Sequence, residues 1–118
     1  MSDTTTHTGS CHCRAVAYEV DMSLDGLIEC NCSHCYRKGF VLGFVQPDAF
    51  RLKAEGPQTE YLFNNHKIRH RFCETCGVQT FARGSTPDGK EMVAVNVRTL
   101  TDIEPFSWTA TRVDGRSF

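Results

Sequence analysis

The sequence predicts an all-β domain, and three observations carry that prediction. Short runs rich in valine, phenylalanine and tyrosine recur at intervals of about ten residues. Gly, Pro, Asn and Asp stand between them, where tight turns need their backbone angles. No stretch sustains the apolar period of about 3.6 residues that a long helix requires, and there is no internal repeat or linker.

Residues 1–8 carry three consecutive threonines and no apolar periodicity, and read as a flexible N-terminal tail. The remainder, 9–118, reads as a single domain. Gly9 opens it. Between Arg14 and Val20, the residues Val16, Tyr18 and Val20 alternate onto one face, the pattern of a half-buried strand. Asp21–Gly26 is a turn, Leu27 and Ile28 lead into Cys30-Asn31-Cys32-Ser33-His34-Cys35, and Arg37-Lys38-Gly39 turns again. Phe40–Val45 is nearly all apolar and predicts a strand buried on both faces, ended by Pro47-Asp48. Phe50–Leu52, Glu60–Phe63 and Ile68–Phe72 are short strands separated by Glu55-Gly56-Pro57 and Asn64-Asn65, and the third puts Ile68, His70 and Phe72 opposite Arg69 and Arg71. Gln79–Ala82 and Glu91–Val97 flank a loop with Pro87-Asp88-Gly89 at its tip. Thr99–Pro105 predicts a helical turn capped by Thr101 or Asp102, and Ser107–Val113 a last strand. Trp108 and the eight phenylalanines are assigned to the core.

Composition narrows the function. At 118 residues the chain suits one domain, and 40% hydrophobic with 23% charged residues is ordinary for a globular protein. A net charge of −1 supplies no surplus of cations for phosphates, so no nucleic-acid partner is expected. No apolar run approaches bilayer length, and Met1–Ser10 holds no hydrophobic signal segment, which predicts no membrane partner and a cytoplasmic location. In that reducing compartment cysteines serve metals or thiol chemistry more often than disulfides, and seven of them cannot all pair within one chain.

The cysteines fall into three groups: Cys11 and Cys13; Cys30, Cys32 and Cys35; Cys73 and Cys76. A C-x-x-C turn aims two sulfurs at one ion, and Gly77 gives the Cys73–Cys76 turn its backbone freedom. Its partner pair is either Cys32 with Cys35, as in a ribbon site, or Cys11 with Cys13; spacing leaves both open. The second choice leaves three thiols together and so suggests one closed and one open site, although a histidine, His34, His66 or His70, would equally close the second.

The pattern G-S-C-H-C, then C-x-C-x-x-C, then F-C-x-x-C-G resembles the glutathione-dependent formaldehyde-activating enzyme family, which includes centromere protein V. The resemblance runs from Gly9 to Asp114-Gly115, and Arg71-Phe72-Cys73 with Ala94-Val95-Asn96-Val97-Arg98 is most similar to the centromere protein V branch. It implies stacked antiparallel sheets in a β-tent (Mss4-like) fold. It also implies two zinc ions, a structural one on Cys11, Cys13, Cys73 and Cys76 and a catalytic one on Cys30, Cys32 and Cys35. Arg14 departs from the glycine that many members carry after the second cysteine, which bears on loop shape. No motif for the family's glutathione contacts matches.

The activity implied is that of a carbon–sulfur lyase joining glutathione, or a similar thiol, to formaldehyde or a related aldehyde. The alternative is a non-catalytic zinc-stabilised binding module. A free thiol with a pKa of about 8.5 is only a few per cent ionised at neutral pH, whereas a metal-bound one is deprotonated outright. Three thiolates leave zinc a poor Lewis acid, so ionising and holding the thiol beside the aldehyde is the expected contribution. His34 is read as a solvated turn residue in preference to a proton shuttle. His66 and His70 have H-x-x-x-H spacing, but the strand pattern speaks against joint ligation. Arg37, Lys38, Arg69 and Arg71 either hold glutathione carboxylates or form a solvated face.

Overall fold

A computed structural model of the chain describes residues 4–62, 68–86 and 88–114. Among these are ten strands: β1 (Thr5–Ser10), β2 (Val16–Met22), β3 (Leu27–Cys30), β4 (Leu42–Val45), β5 (Phe50–Glu55), β6 (Gln58–Tyr61), β7 (Arg69–Cys73), β8 (Phe81–Ser85), β9 (Glu91–Asn96) and β10 (Ala110–Val113). One six-residue helix, α1 (Ser33–Lys38), and two 3₁₀ turns, Pro47–Ala49 and Val97–Thr99, complete them. No described helix is long and apolar enough to cross a membrane.

The strands form a three-stranded sheet, β1-β2-β5, stacked on a seven-stranded sheet ordered β10-β3-β4-β9-β8-β7-β6. The alternation of Val16, Tyr18 and Val20 is observed on β2, extended by Met22, and these side chains are buried. Tyr18, Val20 and Met22 meet Val45, Phe81, Val93 and Val95 of the large sheet and Val97 of the turn that follows β9, with Phe50 stacked 5.1 Å from Tyr18 and tilted 4.7 Å from Phe81 between ring centroids. The sheets approach so closely at Gly43 that a Cβ there would collide with the Met22 methyl and crowd Leu27.

Several expectations are corrected. Residues 5–8 are not a tail: Thr5–Ser10 pairs residue for residue with β2, from Thr5 against Met22 to Ser10 against Ala17. Edge-strand threonines need no apolar alternation when the ladder supplies the backbone partners, and Thr101 N–H to Thr8 O at 2.8 Å pins the other side. Phe40–Val45 is not buried on both faces, because Phe44 is 49% exposed on the face away from the small sheet. Phe106 is 75% exposed and Trp108 half-buried at the core's edge, so the aromatic residues are only partly core. The helical turn expected at Thr99–Pro105 lies earlier, at Val97–Thr99, capped by Asn96 through Arg98 N–H. The last strand shortens to Ala110–Val113 and runs parallel to β3, the exception in otherwise antiparallel sheets. Arg37-Lys38 is the last turn of α1, not a free turn, with Gly39 at φ 70° closing it.

Cross-strand register carries Phe44, Ala94, Ala82, His70 and Tyr61 in one row along the outer face of the large sheet. Helix α1 lies over one end of that row, with His34 against His70 and Lys38 over the Phe72 ring.

Candidate metal centres

The turn after β1 folds back on itself: Cys11 N–H reaches Val16 O at 2.9 Å, and Arg14 N–H reaches Cys11 O at 3.2 Å. That turn forces Arg14 into the left-handed region at φ 69°, which explains why glycine suits the position. At the end of β7, Gly77 N–H bonds Cys73 O at 2.8 Å with Gly77 at φ 79°, the tight knuckle that the spacing predicts.

The two turns bring Cys11, Cys13, Cys73 and Cys76 together, all four sulfurs within 4.8 Å of one another. The Cys11–Cys13 and Cys13–Cys73 sulfurs are 3.7 and 3.6 Å apart. A tetrahedron of thiolates with metal–sulfur bonds of about 2.3 Å has edges of about 3.8 Å, so the donor set fits one such ion. Val16, Ala15, Leu52 and Val78 pack around it. Without a cation the thiols divide between ionised and protonated. The Ala15 N–H favours a Cys13 thiolate, but burial and the sulfurs of Cys73, Cys11 and Cys76 push its pKa up to about 11. At Cys76 burial opposes ionisation, yet backbone N–H groups and the sulfurs of Cys11 and Cys73 bring it down to about 6. Four neighbouring thiolates need a positive charge among them.

The second cluster holds Cys30, Cys32 and Cys35, again within 4.8 Å, and among the described residues no fourth His, Cys, Asp or Glu joins it. Cys30 ends β3. Cys32 caps α1, its sulfur accepting the Cys35 N–H at 3.3 Å, and the Cys30 sulfur accepts the Cys32 N–H at 3.4 Å. Burial works against a Cys32 thiolate, but the backbone N–H groups of Cys35 and His34 and the neighbouring thiols outweigh it and lower its pKa. Cys35 is pushed up, first by burial and then by Cys32 and Cys30.

His34 does not complete this cluster, nor is it a solvated turn residue. Its ring stacks on Tyr61 at 5.5 Å, lies tilted against His70 at 4.1 Å and meets Phe40 edge-on at 5.6 Å. Burial and then Lys38 lower its pKa. His70 is buried, with the Gln79 side-chain amide 3.0 Å from Nδ1, and burial, His34 and Lys38 together bring it down to about 4. His66 lies outside the described residues.

Two grooves flank α1. One, of about 490 Å³, is lined by Cys30 and Cys35 with Asn31, Tyr36, Arg112 and Asp114 among its walls. Asn31 anchors β10 there, donating from Nδ2 to Asp114 at 3.0 Å. The other, of about 530 Å³, is lined by Ser33, His34, Arg37, Lys38, Tyr61 and Phe72. Of the four cations expected near a carboxylate, Arg37 and Lys38 thus line a groove beside α1. Arg71 is 3.7 Å from Glu60, and Arg69 borders a separate small groove with Arg83. Arg112, Tyr36 and Asn31 escape sequence reasoning, because only the parallel β3–β10 pairing, across more than eighty residues of chain, brings Arg112 beside Glu29.

A family profile described as glutathione-dependent formaldehyde-activating enzyme matches residues 6–112. A Phaeosphaeria nodorum protein assigned by name to those enzymes is 33% identical over 79 residues, 62% of this chain and 42% of that relative. The match thus spans less than half of the relative's length. The crystal structure of a Rhodobacter sphaeroides protein superposes with a TM-score of 0.79 at 28% identity, over 90% of this chain and 99% of that one.

Proposed function

The chain belongs to the glutathione-dependent formaldehyde-activating enzyme family, and from that premise we propose that it is a zinc-dependent carbon–sulfur lyase joining a thiol, glutathione or a relative, to formaldehyde or a related aldehyde. The observation that carries the reading is the three-sulfur cluster, which has no fourth described protein ligand and borders a groove of about 490 Å³. A structural metal site is closed, whereas a catalytic one keeps a place for substrate.

On this reading Cys11, Cys13, Cys73 and Cys76 hold a structural zinc and Cys30, Cys32 and Cys35 a catalytic one. When bound, that second zinc would keep the substrate sulfur ionised at neutral pH. The protein's own part is geometric. The Cys32 cap and the β3 end fix the three sulfurs, and the wall of β10 and α1 confines thiol and aldehyde together. The sulfur–carbon bond forms as the carbonyl π bond breaks, and the thiol proton ends on the new hydroxyl. The burial of His34 against His70 and Tyr61 keeps that imidazole a packing element of the helix on this reading.

Exchange NMR of hydroxymethyl adduct formation tests the proposal. Acceleration over the spontaneous rate, abolished by Cys32→Ser, is the expected result. A zinc-loaded chain that leaves the spontaneous rate unchanged is a binding module instead.

A further inference from the structure

Arg98 follows β9 in the 3₁₀ turn, where the Asn96 side chain accepts its backbone N–H at 3.2 Å. Its side chain runs back to the end of α1. Nε donates to the Gly39 carbonyl at 2.9 Å, and the guanidinium carbon stands 5.3 Å from the Trp108 ring centroid and 5.6 Å from that of Phe106. The two rings, their centroids 5.7 Å apart, therefore flank the guanidinium from one side, and one N–H is committed. The Nη edge has no hydrogen-bond or ion-pair partner among the described residues.

Phe106 explains itself only through this arrangement. It is 75% exposed and sits in the left-handed region at φ 65°, a strained backbone for a residue with a side chain. Its ring covers a cation instead of entering the core. A guanidinium held on aromatic rings keeps its in-plane donors in a fixed fork, the geometry that pairs two N–H groups with the two oxygens of a carboxylate.

The location matters as much as the shape. Gly39, whose carbonyl Arg98 holds, lines the groove of Cys30 and Cys35, so the fork stands beside that groove. Among the described residues that line it, Glu29, Asp114 and Arg112 carry charge. Resting on the reading of Cys30, Cys32 and Cys35 as the thiol site, we propose that Arg98 is a preorganised carboxylate-binding fork that selects thiols bearing a carboxylate. The Val95-Asn96-Val97-Arg98 run thereby acquires a role: Asn96 sets the turn and Arg98 presents the fork.

The test follows the Arg98 Nε–H resonance by NMR in the zinc-loaded protein. Three probes are titrated: glutathione, S-methylglutathione, which keeps the carboxylates without a free thiol, and 2-mercaptoethanol, which has only the thiol. Expected are shifts with the first two and none with the third. Arg98→Met, with zinc content checked, should weaken glutathione on the order of tenfold or more, as for loss of a charge-assisted pair, and Arg98→Lys should recover part of that. The proposal is overturned if S-methylglutathione leaves the resonance unmoved, or if Arg98→Met weakens 2-mercaptoethanol as much as glutathione, the mark of a residue that only steadies the helix. Glutarate binding as tightly as glutathione overturns the link to the thiol. An Arg98 shift with S-methylglutathione in a chain without lyase activity keeps the fork and removes the catalytic reading.

Discussion

Arg14 occupies a backbone conformation that costs an L-residue about 1–2 kcal/mol, at φ 69° immediately after Cys13. Arg14→Gly should therefore stabilise the zinc-loaded protein by about 1 kcal/mol, read as a higher urea midpoint with unchanged slope; a lower midpoint refutes the strain. Asp21 offers a pH test. It accepts hydrogen bonds from Arg51 at 2.9 and 3.0 Å and from Thr6 at 2.7 Å, which hold its carboxyl down at about 2. The folded value lies below the unfolded one of about 3.9, so the stabilisation is complete above that pH and is lost as pH falls toward 2. A carbon-13 titration of the Asp21 carboxyl should find the depressed midpoint, and Asp21→Asn should flatten the acid limb of the stability profile. A midpoint near 4 contradicts it. Cysteine spacing made the first cluster legible at this scale only as far as the Cys73–Cys76 turn, and folding selects Cys11 and Cys13 over the ribbon pairing.

Among the elements, α1 is the least self-sufficient. Six residues cannot sustain a helix alone, so its position depends on the Cys32 cap, the Gly39 terminus, the His34–His70 contact and Arg98. Gly39→Ala at φ 70° should cost about 1 kcal/mol and loosen Cys35, seen as faster loss of one zinc to a chelator; equal loss of both ions contradicts the assignment. Which elements could be foreseen follows from what holds them. Val16, Tyr18 and Val20 announce β2 because burial against the large sheet selects them. β1 is silent because ladder bonds and Thr101, not apolar packing, hold it. Phe44 misleads because a large apolar residue on the open face reads like a core one. β10 and its parallel partner depend on a long-range crossing that no local pattern encodes. His34 looks solvated in sequence because its neighbours His70 and Tyr61 arrive from distant strands.

For the whole molecule, the four-cysteine cluster joins the β1–β2 hairpin of one sheet to β7 of the other. Replacing Cys76 with serine should therefore lower the thermal midpoint much more than replacing Cys32, while Cys32→Ser should cut the zinc count from about two to about one with the far-ultraviolet circular dichroism retained. Equal destabilisation by both changes would make all seven thiols structural. The separation of 60 residues between Cys13 and Cys73 has a further consequence, for the order of events as the chain is made. The segment Cys30–Cys35 can gather an ion on a flexible chain as soon as it emerges, because its sulfurs are neighbours in sequence. The other cluster must close a loop worth about 4 kcal/mol of chain entropy, and on the proposed reading it would fill only once both sheets have met. On the proposed two-zinc reading, metal supply during synthesis would reach the Cys30–Cys35 cluster first and the tie between the sheets last, and a scarcity of zinc would leave chains loaded at the one but not yet fastened at the other.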